Sequence, residues 1–104
     1  MKKYCLIETT FKKISEAKKM AKILLKNKLI ACAQISTIES LYSWNGKAVN
    51  EKEFLLSLKT KIGFYGDIEK IIINNHSYDL PQIVMMPISN GSKLYFEWLE
   101  SCFD

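Results

Sequence analysis

Arginine is absent from this 104-residue chain, whose fifteen basic residues are all lysines. The bidentate fork that grips phosphate or reads guanine is therefore missing, which argues against nucleic-acid recognition and against phosphate-clamping enzymes of the acylphosphatase kind. Histidine occurs once, at His76, and there is no nucleophile-elbow or phosphate-loop motif. No constellation for acid-base or covalent catalysis can be assembled, and an enzyme is not expected. Cys5, Cys32 and Cys102 are odd in number, widely spaced and without a CxxC pair, so neither a disulfide framework nor a zinc finger is signalled and a reducing, cytoplasmic setting is expected. Long apolar runs are lacking as well. The stretch from Tyr4 to Ile7 is cut by Glu8, too short for a signal-peptide core, and Leu29 to Ala33 falls far below the roughly 20 residues of a membrane span.

What is present suits one compact domain over 1–104: 48% apolar and 12% aromatic residues, with a net charge of +4. "YCLIET" at 4–9 reads as a strand, with Thr10 or Ser15 as a cap for the helix that follows. Ile14, Ala17, Met20, Ala21, Leu24 and Leu25 recur at three- and four-residue steps, with lysines at the other angles, which is an amphipathic helix of about four turns. The lysines read as a solvated face, with a polyanion-binding face as the alternative.

From Leu29 to Thr60 two strand-like arms flank Asn45-Gly46, the strongest short hairpin signal. A two-residue turn there pairs Trp44 with Lys47, Tyr42 with Val49, Glu39 with Lys52, Ile35 with Leu56 and Ala33 with Leu58. Ile38 against Glu53 is the one mismatch, and a bulge would relieve it. Each arm is about twice the usual 5 to 6 residues, and edges that long invite another chain, so a homo-oligomer is expected. A second helix ends near Asn74 or Asn75, "QIVMMPIS" reads as a buried strand ending at Pro87, and Leu94, Tyr95, Trp98 and Leu99 form the apolar face of a terminal helix. The order is βαββαβ, the ferredoxin-like α+β pattern, with a long central hairpin and an extra C-terminal helix.

Four stretches resemble the CutA divalent-cation tolerance proteins: "KNKLIACAQI" at 26–35, "SLYSWNGK" at 40–47, "LLSLKT" at 55–60 and "HSYDLPQIVMMPISNG" at 76–91. They run in family order across nearly the whole chain. The resemblance implies a small cytoplasmic ferredoxin-like protein forming a tight homotrimer, similar in architecture to the PII signalling proteins, and linked to tolerance of copper and other divalent metals. Two departures stand out. Ser77 replaces a usual proline, and Gln82 replaces a usual glutamate, removing a hard anionic donor. The strand-end cysteine proposed as a copper ligand in bacterial relatives corresponds to Thr9, with Cys5 displaced along the strand.

The expected sites follow. His76 is a metal-ligand candidate, with Cu(II) favoured over Zn(II) by the Irving–Williams order, although only Asp79 lies near it as a second donor. Its other reading is a cleft histidine that orients Tyr78 or a loop carbonyl. Tyr42, Trp44, Tyr78 and Trp98, with Lys59 as an anion-attracting charge, form an intersubunit cleft or serve as interface packing. In the PII-like alternative that cleft holds a small molecule or protein partner and metal is incidental. Cys32 reads as a small buried hydrophobe. RNA binding through the sheet is disfavoured, because the basic-Gly-aromatic motif is absent.

Overall fold

A computed structural model describes residues 3–104. Among them the order is β1 (Tyr4–Phe11), α1 (Ile14–Lys26), β2 (Cys32–Trp44), β3 (Lys47–Lys61), a 3-10 turn (Ile62–Phe64), α2 (Tyr65–Asn75), β4 (Ile83–Pro87) and α3 (Lys93–Ser101). The strands form one antiparallel sheet in the order β2-β3-β1-β4. This is the expected ferredoxin-like arrangement with its added helix.

The hairpin follows the expected register from Trp44 opposite Lys47 to Cys32 opposite Lys59, with Ile38 opposite Glu53 and no bulge. Asn45 (φ 51°) and Gly46 (φ 75°) both take the left-handed conformation that a tight turn of this kind requires. Thirteen residues of β2 at about 3.3 Å each give the molecule its long dimension of 45 Å, against 26 and 22 Å in the other directions.

Cys5, Ile7 and Phe11 of β1, with Leu56 and Leu58 of β3, are buried against Ala17, Met20, Ala21 and Leu24 of α1 and Ile68 and Ile72 of α2. Two expected members of the α1 stripe, Ile14 and Leu25, lie outside it, each more than two-fifths exposed. Neither expected cap is used. β1 runs on to Phe11, which keeps Thr10 in the strand, while Ser15 lies inside the helix and Lys13 occupies the N-cap without a side-chain hydrogen bond. At the other end Leu29 N–H donates to the Leu24 carbonyl and Lys28 N–H to that of Leu25, a Schellman closure with Lys28 at φ 55°.

The opposite face of the sheet is only partly covered. α3, capped by Ser92, lies over one end of it: Phe96 stacks on Tyr4 with ring centroids 5.2 Å apart, and Glu100 accepts from the Tyr4 hydroxyl at 2.7 Å and pairs with Lys3 and Lys61. Gly91 makes that seat, since a Cβ there would stand 2.7 Å from the Phe96 ring. Of the expected apolar face of α3 only Leu99 is buried. Leu94, Tyr95 and Trp98 are exposed. β4, expected to be buried, is an edge strand buried on one face only: Ile83 and Met85 pack against the core, while Val84 and Met86, opposite Glu8 and Leu6 on the sheet face that α1 and α2 leave open, are exposed. Cys32 is half-buried, and Cys5 is the buried thiol, its pKa pushed up to about 11 by burial.

Candidate functional site

α2 ends at Asn75, where His76 turns into extended backbone (φ −91°, ψ 143°) and begins a loop around the end of β1. The His76 ring stacks on Phe11, with centroids 4.3 Å apart and planes 8° from parallel. Its Nε2 lies 2.8 Å from the Thr10 carbonyl, and its Nδ1 lies 3.0 Å from the Tyr78 amide nitrogen. A carbonyl only accepts and an amide N–H only donates, so the ring is neutral, with its proton on Nε2. Burial holds its pKa below the ordinary histidine range, against the opposing pull of the Thr10 carbonyl, Glu16 and Glu53. His76 thus orients Tyr78, and the carbonyl it meets is that of Thr10 in β1 rather than one in a loop. No ring lone pair is left for a metal in this arrangement, which counts against the expected ligand role.

Beyond His76 the chain crosses to the other side of the sheet. The Tyr78 hydroxyl donates to Glu53 at 2.8 Å, and Glu53 is only 7% exposed. Nearer the hairpin tip, the Tyr42 hydroxyl donates to Glu51 at 2.5 Å. Tyr42 faces Val49, so Glu51 is its diagonal neighbour on the same sheet face. Both phenols are held protonated. Tyr42 is pushed up to about 12, mainly by its bond to Glu51, and Tyr78 higher still, by burial and then by Glu53.

These groups border an open groove of about 940 Å³ between the outer half of the hairpin and the 77–82 loop. Among the described residues its carboxylates are Glu39, Glu51, Glu53 and Asp79, its one lysine is Lys12, and Trp44, Leu41 and Leu80 add exposed apolar surface. Gln82 lines it too, so the amide that replaces the family carboxylate sits at the groove. Of the expected cleft residues, Tyr42, Trp44 and Tyr78 are brought together here. Lys59 and Trp98 are not.

Lys59 lies six residues along β3 from Glu53, a separation of about 20 Å in a strand. There it donates to Gln34 Oε1 at 3.1 Å and stands over the Tyr95 ring, which Trp98 tilts against. The sheet geometry divides the expected cleft into two half-sites at opposite ends of one face. Thr9 and Cys5, compared with the family's strand-end cysteine, are both buried in the helix-side core, away from the groove. Among the described residues, no three His, Cys, Asp or Glu side chains converge as a ready metal cluster. Glu53 and Glu51 are the site residues that sequence reasoning did not assign. The signal was present in the Ile38–Glu53 mismatch: the carboxylate is buried at its paired position because a tyrosine from another loop satisfies it.

Residues 5–102 match the profile of the CutA1 divalent ion tolerance protein family. The chain is 33% identical over 104 residues to a probable divalent-cation tolerance protein cutA homolog of Encephalitozoon cuniculi, covering 100% of this chain and 91% of that one. It is 39% identical over 85 residues to the chloroplastic protein CutA of Arabidopsis thaliana, covering 81% of this chain but spanning only 47% of the relative. Its fold superposes on the structure of the periplasmic divalent cation tolerance protein CutA from Archaeoglobus fulgidus with a TM-score of 0.92 at 32% identity, covering 97% and 99% of the two chains. A match of nearly the full length in both sequence and fold places the chain in this family: it belongs to the CutA1 divalent ion tolerance proteins.

Proposed function

We propose that this chain binds divalent cations through carboxylates of its acidic groove together with donors from a neighbouring copy, since no three converge within one chain's described residues, and that it does so as a cytoplasmic homotrimer without catalysis. The observation that carries the reading is the charge of the groove: Glu51 and Glu53 share one sheet face beside the 77–82 loop, Glu39 and Asp79 line its borders, and among the described residues Lys12 is the one lysine in its lining, in a chain whose overall charge is +4. Carboxylate oxygens suit hard and borderline divalent ions, and Cu(II) is the ion that the affinity order favours where several can enter. His76 supports the groove by positioning Tyr78. Its lone pair already holds an amide proton, so the ligating atoms are oxygens.

The homotrimer is supported by the two open sheet edges, β2 and β4, and by the exposed apolar groups Leu41, Trp44, Val84, Met86, Leu94 and Trp98. A second copy is also the means of bringing Lys59 and Trp98 to the groove of a neighbour. Three unbridged thiols suit the cytoplasm. No helix among the described residues is long and apolar enough to cross a membrane, and neither a membrane nor a nucleic-acid partner is assigned.

The test is a calorimetric titration of reduced, untagged protein with Cu(II) and Zn(II), alongside Glu51→Gln/Glu53→Gln and His76→Ala. The carboxylate double variant is expected to lose at least about tenfold in affinity, roughly 1.4 kcal/mol. Unchanged affinity there, with loss in His76→Ala, moves the ion to the imidazole. Light scattering on the same sample reads the assembly, and a monomer overturns the trimer.

A further inference from the structure

His76 does more than fill space at the end of α2. Its ring is the first anchor of the loop that carries Tyr78, and Tyr78 is the residue that covers Glu53. The anchor depends on one lone pair. Nε2 must donate to the Thr10 carbonyl, so Nδ1 is left as the acceptor for the Tyr78 N–H. A proton added to the ring has only Nδ1 to occupy, and there it points at another donor. The Phe11 face against the ring opposes a flip about Cβ–Cγ, which would put Cδ2 where Nδ1 stands and lose both contacts.

We propose that His76 is a proton-sensitive latch on the groove: its neutral ring holds the Tyr78 amide and keeps the phenol on Glu53, and a proton on Nδ1 releases the loop and uncovers the Glu53 carboxylate.

The charged groups facing the ring are Glu16 from α1 and Glu53 from β3, both of which favour the protonated ring. From the loop comes Tyr78, neutral throughout this range, and β1 offers the Thr10 carbonyl and the uncharged Phe11. Lys12, the next residue along, lines the groove. Burial outweighs the carboxylates, so the latch stays closed at neutral pH and opens below the ordinary histidine range, near 6.5. The latch needs no bound cation, so it stands or falls separately from the cation reading.

The experiment is a pH titration of the metal-free, 15N-labelled full chain by NMR. With one histidine in the sequence, the ring nitrogens report on His76 without assignment. The expected result is an Nε2–H tautomer at neutral pH, and an exchange protection factor at the Tyr78 amide that falls at least tenfold with the midpoint of the ring titration. His76→Gln, uncharged at every pH, removes that step. Tyr78→Phe keeps it, because the amide at position 78 still meets Nδ1. A proton on Nδ1 at neutral pH overturns the latch, and so does protection that holds through the ring titration. A step abolished by Tyr78→Phe overturns it as well, since the pH dependence would then run through the phenol.

Discussion

Tyr78 and Glu53 lie 25 residues apart in sequence and meet at 2.8 Å, a loop phenol satisfying a strand carboxylate that is otherwise buried. This bond explains why the hairpin passes through the Ile38–Glu53 pair without a bulge. The carboxylate belongs to the groove, not to the ladder's apolar pairing. Removing one partner of such a bond leaves the other with its desolvation penalty, about 1–3 kcal/mol. Tyr78→Phe is therefore expected to lower unfolding free energy by about that amount in urea titrations. Tyr78→Phe combined with Glu53→Leu should recover part of the loss, and a double-mutant cycle with no coupling would show that the bond contributes nothing.

Thr9 presents the opposite case. Its hydroxyl is fully buried and has no hydrogen-bond partner among the described residues. Thr9→Val keeps the branched shape and removes the unpaired group, so it is expected to raise stability by about 1 kcal/mol. A lower thermal midpoint for the variant would show that the hydroxyl is satisfied in solution.

Lys28 closes α1 in the left-handed conformation, at φ 55°, where a side chain costs roughly 1 kcal/mol and glycine is the usual occupant. Lys28→Gly is expected to stabilise the fold by about 0.5 kcal/mol once glycine's greater unfolded-state freedom is deducted. Calorimetric melting of the two proteins checks the sign.

Glu100 ties α3 to the sheet through Lys3, Lys61 and the Tyr4 hydroxyl, and these partners hold its pKa down to about 2. A carboxyl with a lowered folded pKa stabilises the fold above its unfolded value, and that contribution is lost as pH falls from the ordinary glutamate range toward about 2. The group is partly exposed, so salt weakens the effect. Amide exchange along α3 should accelerate over that window in the native protein. Glu100→Gln should show the faster exchange already at neutral pH, and an α3 indifferent to both changes would remove Glu100 as its tether.

The sheet pairing was legible because its signals are local. Asn45-Gly46 fixes the turn, a two-residue turn fixes the register, and the register holds to Cys32 opposite Lys59. The helical stripes were readable for the same reason, apart from Ile14 and Leu25 in α1 and Leu94, Tyr95 and Trp98 in α3, since periodicity gives an angle around a helix but not the width of the face that neighbours cover. β4 is buried on one face only, because an apolar run such as "IVMMP" reads the same whether one or both faces of its strand are covered.

Sequence by itself determined the element order, the hairpin and its register, and His76 with Tyr78 as residues of interest, because each depends on neighbours within a few positions or on one turn. Tertiary structure alone decided that both His76 nitrogens are occupied, that Glu53 is buried and satisfied by Tyr78, and that Lys59 and Trp98 lie far from the groove within one chain. Those facts depend on where a loop crosses the end of β1, and chain spacing carries no record of contacts between residues 25 or 66 positions apart.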